Sequence, residues 1–75
     1  MIPEGEHDLR NQCWHVGVDA GWRLRFSRKD REVFWVRPEV VPQLENVLYI
    51  ATDWTLELHP AGEWLRAVYT RKARP

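Results

Sequence analysis

The sequence predicts a small, β-rich α+β domain: a strongly bent antiparallel sheet or small barrel of about five or six strands with one short helix. Three observations lead there. Apolar and polar residues alternate over 22–27, 54–59 and 64–70, the two-residue period of half-buried strands. Pro38, Pro42, Pro60 and Gly62 punctuate the chain between these runs, where strand ends and turns belong. The chain has only 75 residues but carries five Trp, two Tyr and two Phe. A domain of this length buries only about 60% of its unfolded surface. Aromatic rings, each able to cover roughly 150–250 Å², are the visible help, and self-association as a homodimer is the other remedy.

Residues 1–10 are polar, hold Pro3 and Gly5, and lack apolar periodicity, so they read as a flexible lead-in to a globular domain over 11–71. Gln12 to Asp19 has strand composition, and Asp19-Ala20-Gly21 supplies turn chemistry. A second strand follows, with Trp22, Leu24 and Phe26 alternating against Arg23, Arg25 and Ser27. The polar reversal Arg28-Lys29-Asp30-Arg31 leads into strand formers over 32–37, and the two runs are expected to pair as a hairpin across 22–37.

Pro38 and Pro42 close that hairpin, and a short helix over about 39–46 follows, with Pro tolerated in its first turn. The segment 42–58 fits both a helical spacing (Leu44, Val47, Leu48, Ala51) and a strand reading, and strands are favoured after residue 46. His59-Pro60-Ala61-Gly62 is the expected turn of a last hairpin joining 54–59 to 64–70. Residues 72–75 form a basic tail.

Charge is segregated along the chain although the formal net charge is zero. Acidic residues dominate 1–22, Arg and Lys dominate 23–37, no Lys or Arg occurs over 38–65, and the tail is basic again. Such blocks suit recognition of a charged macromolecule better than chemistry on a small molecule. The acidic block offers a partner-binding set, Glu45, Asp53, Glu57 and Glu63, with Trp54 and Trp64 as anchors. A face of this kind mimics phosphates and fits a basic groove. The alternative set is Arg23, Arg25, Arg28, Lys29, Trp35 and Arg37 in the 22–37 hairpin, suited to single-stranded nucleic acid by stacking on Trp35. Its register decides the matter: an odd-length loop leaves Arg23, Arg25, Trp35 and Arg37 together outside, an even one turns Trp35 inward.

Other chemistries are poorly served. Cys13 and His15, on one side of the expected strand, would need His7 or His59 to hold a metal, and no paired spacing is present. Ser27 is the only serine, and a Cys13–His15 pair lacks an orienting third group, so neither catalysis, a cofactor nor a metal is expected. The lone cysteine excludes an intrachain disulfide, and Val47 to Ala51, the longest apolar run, is too short to span a membrane. The expectation is a cytoplasmic, non-catalytic binding protein, an inhibitor or adaptor for a protein partner.

Overall fold

The chain alternates between sheet and helix more than its local pattern suggests. A computed structural model describes residues 2–72. Strand β1 (His7–Asp8) is followed by helix α1 (Val16–Phe26), strand β2 (Arg31–Val36), a 3₁₀ turn over Pro38–Val40, helix α2 (Val41–Val47), and strands β3 (Trp54–Ala61) and β4 (Trp64–Arg71). The four strands form one mixed sheet in the order β1-β2-β4-β3. β1 pairs parallel to β2, and the other pairings are antiparallel. Among the described residues the sheet is open, with four strands and two α-helices, which corrects the expectation of five or six strands, a barrel and a single helix.

Helix α1 replaces two expected strands (12–19 and 22–27), the expected turn at Asp19-Ala20-Gly21 and the hairpin over 22–37. Val16, Ala20 and Leu24, spaced four apart, are all buried while Val18 and Trp22 between them are exposed; a strand would place all five on one face, and a helix puts them on opposite sides. Asp19 in the first turn and Arg23 and Arg25 in the last complement the helix dipole, and Asp19 accepts a hydrogen bond from Arg23 Nε at 2.9 Å. The residue before the helix, His15, is left-handed (φ 63°) and offers no side-chain cap. Gln43 of α2 supplies one instead. Its Oε1 accepts from the Gly17 N–H at 3.2 Å while its Nε2 donates to the Cys13 carbonyl at 3.0 Å, so an orphan helix donor is satisfied from a neighbouring element.

The short helix expected over 39–46 is present as the 3₁₀ turn and α2. The strands expected directly after it are not. Leu48, Tyr49 and Ile50 each donate to the carbonyl three residues back, a tightening that ends the helix and delays β3 to Trp54. The last hairpin forms as expected, in register from Trp54↔Arg71 to Ala61↔Trp64. Its turn is Gly62-Glu63, not His59 to Gly62. Gly62 takes φ +67° at the first of two central positions, as type II′ hairpin turns require. Pro60 lies within β3, where an edge strand tolerates it.

Both helices cover one face of the sheet. The core joins Leu9, Val16, Ala20, Leu24, Phe34, Val36, Leu44, Trp54, Ala67 and Tyr69. Phe34 meets Tyr69 edge-on at 5.7 Å between centroids, and the buried Tyr69 hydroxyl donates to the Leu44 carbonyl at 2.7 Å, tying α2 to the sheet. Among the described residues the other face carries no helix. Val33 and Val68, buried opposite each other there, are flanked by Trp35 and Arg66. Glu6 closes over this pair: its carboxylate accepts from Trp35 Nε1 at 2.7 Å and from Arg66 Nε and Nη2 at 3.1 and 3.0 Å. Within the segment 1–10, then, Glu6 is bonded to the sheet, His7–Asp8 forms a strand and Leu9 is buried. Of the tail, Ala73 to Pro75 lie outside the described residues.

Candidate interaction surface

Every even-numbered residue from Val16 to Phe26 is apolar. Successive even positions on a helix lie about 200° apart. The alternation therefore splits into two opposite stripes: Val16, Ala20 and Leu24 face the core, and Val18, Trp22 and Phe26 face away from it. The outward stripe is exposed, Val18 by 57%, Trp22 by 56% and Phe26 by 66%. Trp22 and Phe26, one turn apart, stack at 5.2 Å with planes 16° apart. Trp14, just before the helix, and Tyr49 and Ile50, in the turn after α2, are exposed by 81%, 84% and 87%.

A groove of about 560 Å³ runs between α1 and this turn. Val18, Gly21, Trp22, Ile50, Ala51 and Trp54 give it apolar walls, and Arg25, Asp53 and Arg71 are its charged members. Arg71 fixes the wall. Its guanidinium lies 4.4 Å from the Trp54 ring centroid, donates to Asp53 at 2.9 Å and reaches the Ser27 and Lys29 carbonyls at 3.0 and 3.1 Å.

The acidic set is dispersed by the fold. Asp53 is in the groove, Glu45 is exposed on α2, and Glu63 sits in the β3–β4 turn. Trp54 and Glu57 are three apart on β3 and so lie on opposite faces of the sheet. Trp54 is buried under the helices; Trp64 is half-buried at the hairpin end, with Arg10 5.7 Å from its ring. Glu57 pairs with His59 at 3.2 Å.

The basic set is also divided. With no 22–37 hairpin, neither of its two registers exists. Arg23 and Arg25 are on α1, and Arg28 and Lys29 are exposed in the loop after it. Trp35 lies across the sheet, engaged by Glu6, and Arg37 donates to the Arg10 carbonyl at 2.7 Å and to Cys13 Sγ at 3.3 Å. Cys13 and His15 stand in the connection before α1 rather than on a strand. Among the described residues no group of three or more His, Cys, Asp or Glu gathers to hold a metal.

One polar cluster went unseen in the sequence because its members are far apart in the chain. Glu32, on the helix-facing side of β2, accepts from the Ser27 hydroxyl and lies 3.0 Å from His7 Nε2. Arg23 donates to His7 Nδ1 at 3.3 Å, which suits a proton on Nε2 directed at Glu32. Burial pushes the Glu32 carboxyl up, but the Ser27 and His7 hydrogen bonds outweigh it and leave the group below the usual glutamate range. The ring of His7 stacks on Phe34 at 4.9 Å. Every polar member has a partner inside the cluster, so the arrangement fastens β1 and α1 to β2. Comparison with protein-family models, curated proteins and solved structures finds no match to this chain.

Proposed function

We propose that the protein works by binding a protein partner rather than by catalysis, and that its working surface is the outward stripe of α1 with the adjoining groove. One observation carries this reading: a helix already anchored by one apolar stripe presents a second, aromatic one to solvent. Contiguous apolar patches beyond a few hundred Å² are uncommon on monomers and mark interaction sites, and Trp is the residue most enriched at interface hot spots. The dispersed acidic residues give the partner no comparable anchor. An inhibitor or adaptor role is consistent with a domain of this size.

The test is a photo-crosslinking amino acid in place of Phe26 in the full chain, with a control at Thr55, which points from β3 to the other sheet face. The expected result is a stoichiometric protein adduct at 26 and none at 55. Equal labelling at both positions, or none at 26, overturns the reading.

A second reading is single-stranded nucleic-acid binding at the C-terminal end of α1, favoured by the exposed Arg25, Arg28 and Lys29 beside the Trp22–Phe26 stack. Stacking contributes about 1–3 kcal/mol per base, with steep salt dependence. Oligonucleotide binding that quenches Trp fluorescence, weakens steeply with salt and disappears in Arg28→Ala/Lys29→Ala supports it; no binding at low salt excludes it.

A further inference from the structure

Resting on that reading of α1, we propose that the occupant of its outward stripe is a second copy of this chain, seated antiparallel so that a two-fold axis passes beside Trp22. Three observations on the helix point to this partner.

The first is area. At their observed exposures, Val18, Trp22 and Ile50, which line the groove, and Phe26, stacked on Trp22, leave roughly 400–500 Å² uncovered, taking about 150–250 Å² for each aromatic side chain. A standard interface takes about 800 Å² from each partner. Doubled across a two-fold axis, the stripe supplies about 800–1,000 Å², the size of a weak, reversible contact.

The second is the symmetry of the stripe. Val18 and Phe26 stand four residues, about 6 Å of rise, on either side of Trp22. Turning one helix end for end about Trp22 brings Phe26 of one copy level with Val18 of the other. Each bulky ring then lies beside a small side chain, and the two Trp22 rings meet at the centre. An isologous contact needs this self-complementarity. Gly21 adds room: a Cβ there would touch nothing within 4 Å, so bare backbone borders the groove at the point where the rings of the other copy arrive.

The third is charge. Arg25, Arg28 and Lys29 gather at the C-terminal end of α1, and Asp19 lies in its first turn. Parallel pairing would stack the basic ends on each other. Antiparallel pairing sets the basic end of each helix against the first turn of its mate, where Asp19 already balances Arg23, and opposes the two helix dipoles. It also keeps the Arg28 and Lys29 groups of the two copies at opposite ends of the paired helices.

Sedimentation equilibrium of the full chain, from about 1 μM to 1 mM, tests the proposal. The expected result is a monomer–dimer equilibrium within that range. Trp22→Glu should weaken it at least about 30-fold, while Glu57→Lys on the opposite sheet face leaves it unchanged. If Trp22→Glu fails to fold by circular dichroism, Val18→Lys takes its place. Cysteine crosslinking supplies the geometry: in a Cys13→Ser background, mixed Val18→Cys and Phe26→Cys chains, which keep Trp22, should form an intermolecular disulfide and Thr55→Cys should not. A folded chain that stays monomeric at 1 mM, or a dimer indifferent to both stripe variants, overturns the proposal. The working-surface reading fails separately. A monomer that still crosslinks stoichiometrically to a different protein at position 26 sinks only the second copy, whereas a monomer with no adduct at 26 sinks both.

Discussion

Gly17 and Gly21 lie one turn apart in α1, and the same substitution at each has opposite consequences. A Cβ on Gly17 would fall 3.0 Å from the Gln43 carbonyl oxygen and 3.3 Å from the Gln43 Cβ, where α1 crosses α2 and receives its cap. Gly17→Ala gains helix propensity of about 1 kcal/mol but must push the helices apart and stretch the Gly17 N–H bond to Gln43. The net expectation is a loss of about 1–3 kcal/mol, the usual range for overpacking. Gly21→Ala meets no atom within 4 Å and keeps the propensity gain, so it should stabilise by up to about 1 kcal/mol. Urea titrations of both variants and the parent chain at one matched concentration, in a Trp22→Glu background that weakens self-association, measure the pair. Destabilisation by Gly21→Ala, or tolerance of Gly17→Ala, would show that α1 does not pack on α2 in this way.

At the scale of elements, β1 has only two residues, and its attachment rests on side chains more than on its ladder. Arg66 is the chief cause holding the Glu6 carboxyl below the usual glutamate range, through hydrogen bonds that outweigh the opposing effect of burial, with Trp35 adding to it. A carboxyl lowered in the folded state contributes stability that is fully present above its unfolded value, about 4.3. That contribution is lost as pH falls through the lowered folded value. Glu6→Gln should therefore reduce stability at pH 7 and flatten its decline between about pH 5 and pH 3, read from urea midpoints across pH. An unchanged acid limb would detach Glu6 from this role. The β3–β4 hairpin was legible in the sequence because its alternation, its length and Gly62 all agree. Helix α1 was not, because two opposite apolar stripes on a helix reproduce a strand's two-residue period, and Gly17 and Gly21 weaken the helical signal. The charge blocks marked composition correctly but not faces, since β3 sends Trp54 and Glu57 to opposite sides and α1 carries Arg23 and Arg25 away from Trp35. What the alternation over 16–26 did record is a segment apolar on both sides, the property on which the candidate surface depends.

Across the whole molecule, the groove persists only if α1, the turn after α2 and the end of β4 keep their relative positions, and Arg71 links all three. Its Nη2 satisfies the carbonyls of Ser27 and Lys29 in the loop that follows α1, while Nη1 holds Asp53 and Nε lies 3.4 Å from Asp30. Its guanidinium also covers Trp54, and its backbone N–H donates to the Asp30 carbonyl at 2.8 Å. A planar fork with five donors meets these acceptors at once, which a lysine ammonium on a flexible stem does not. Arg71→Ala removes the fork, uncovers Trp54 and leaves two loop carbonyls to find water. The combined expectation is a loss of about 2–4 kcal/mol, with Arg71→Lys recovering less than half. Arg66→Ala makes a useful contrast, because that residue anchors the other sheet face through Glu6. Hydrogen exchange separates the two: Arg71→Ala should lower protection through the last turn of α1 and over residues 51–54, whereas Arg66→Ala should lower it near β1. If Arg71→Ala changes protection only within β4, the linkage is local. The groove is then held by the core alone, and the outward stripe of α1 must do its work without a fixed wall beside it.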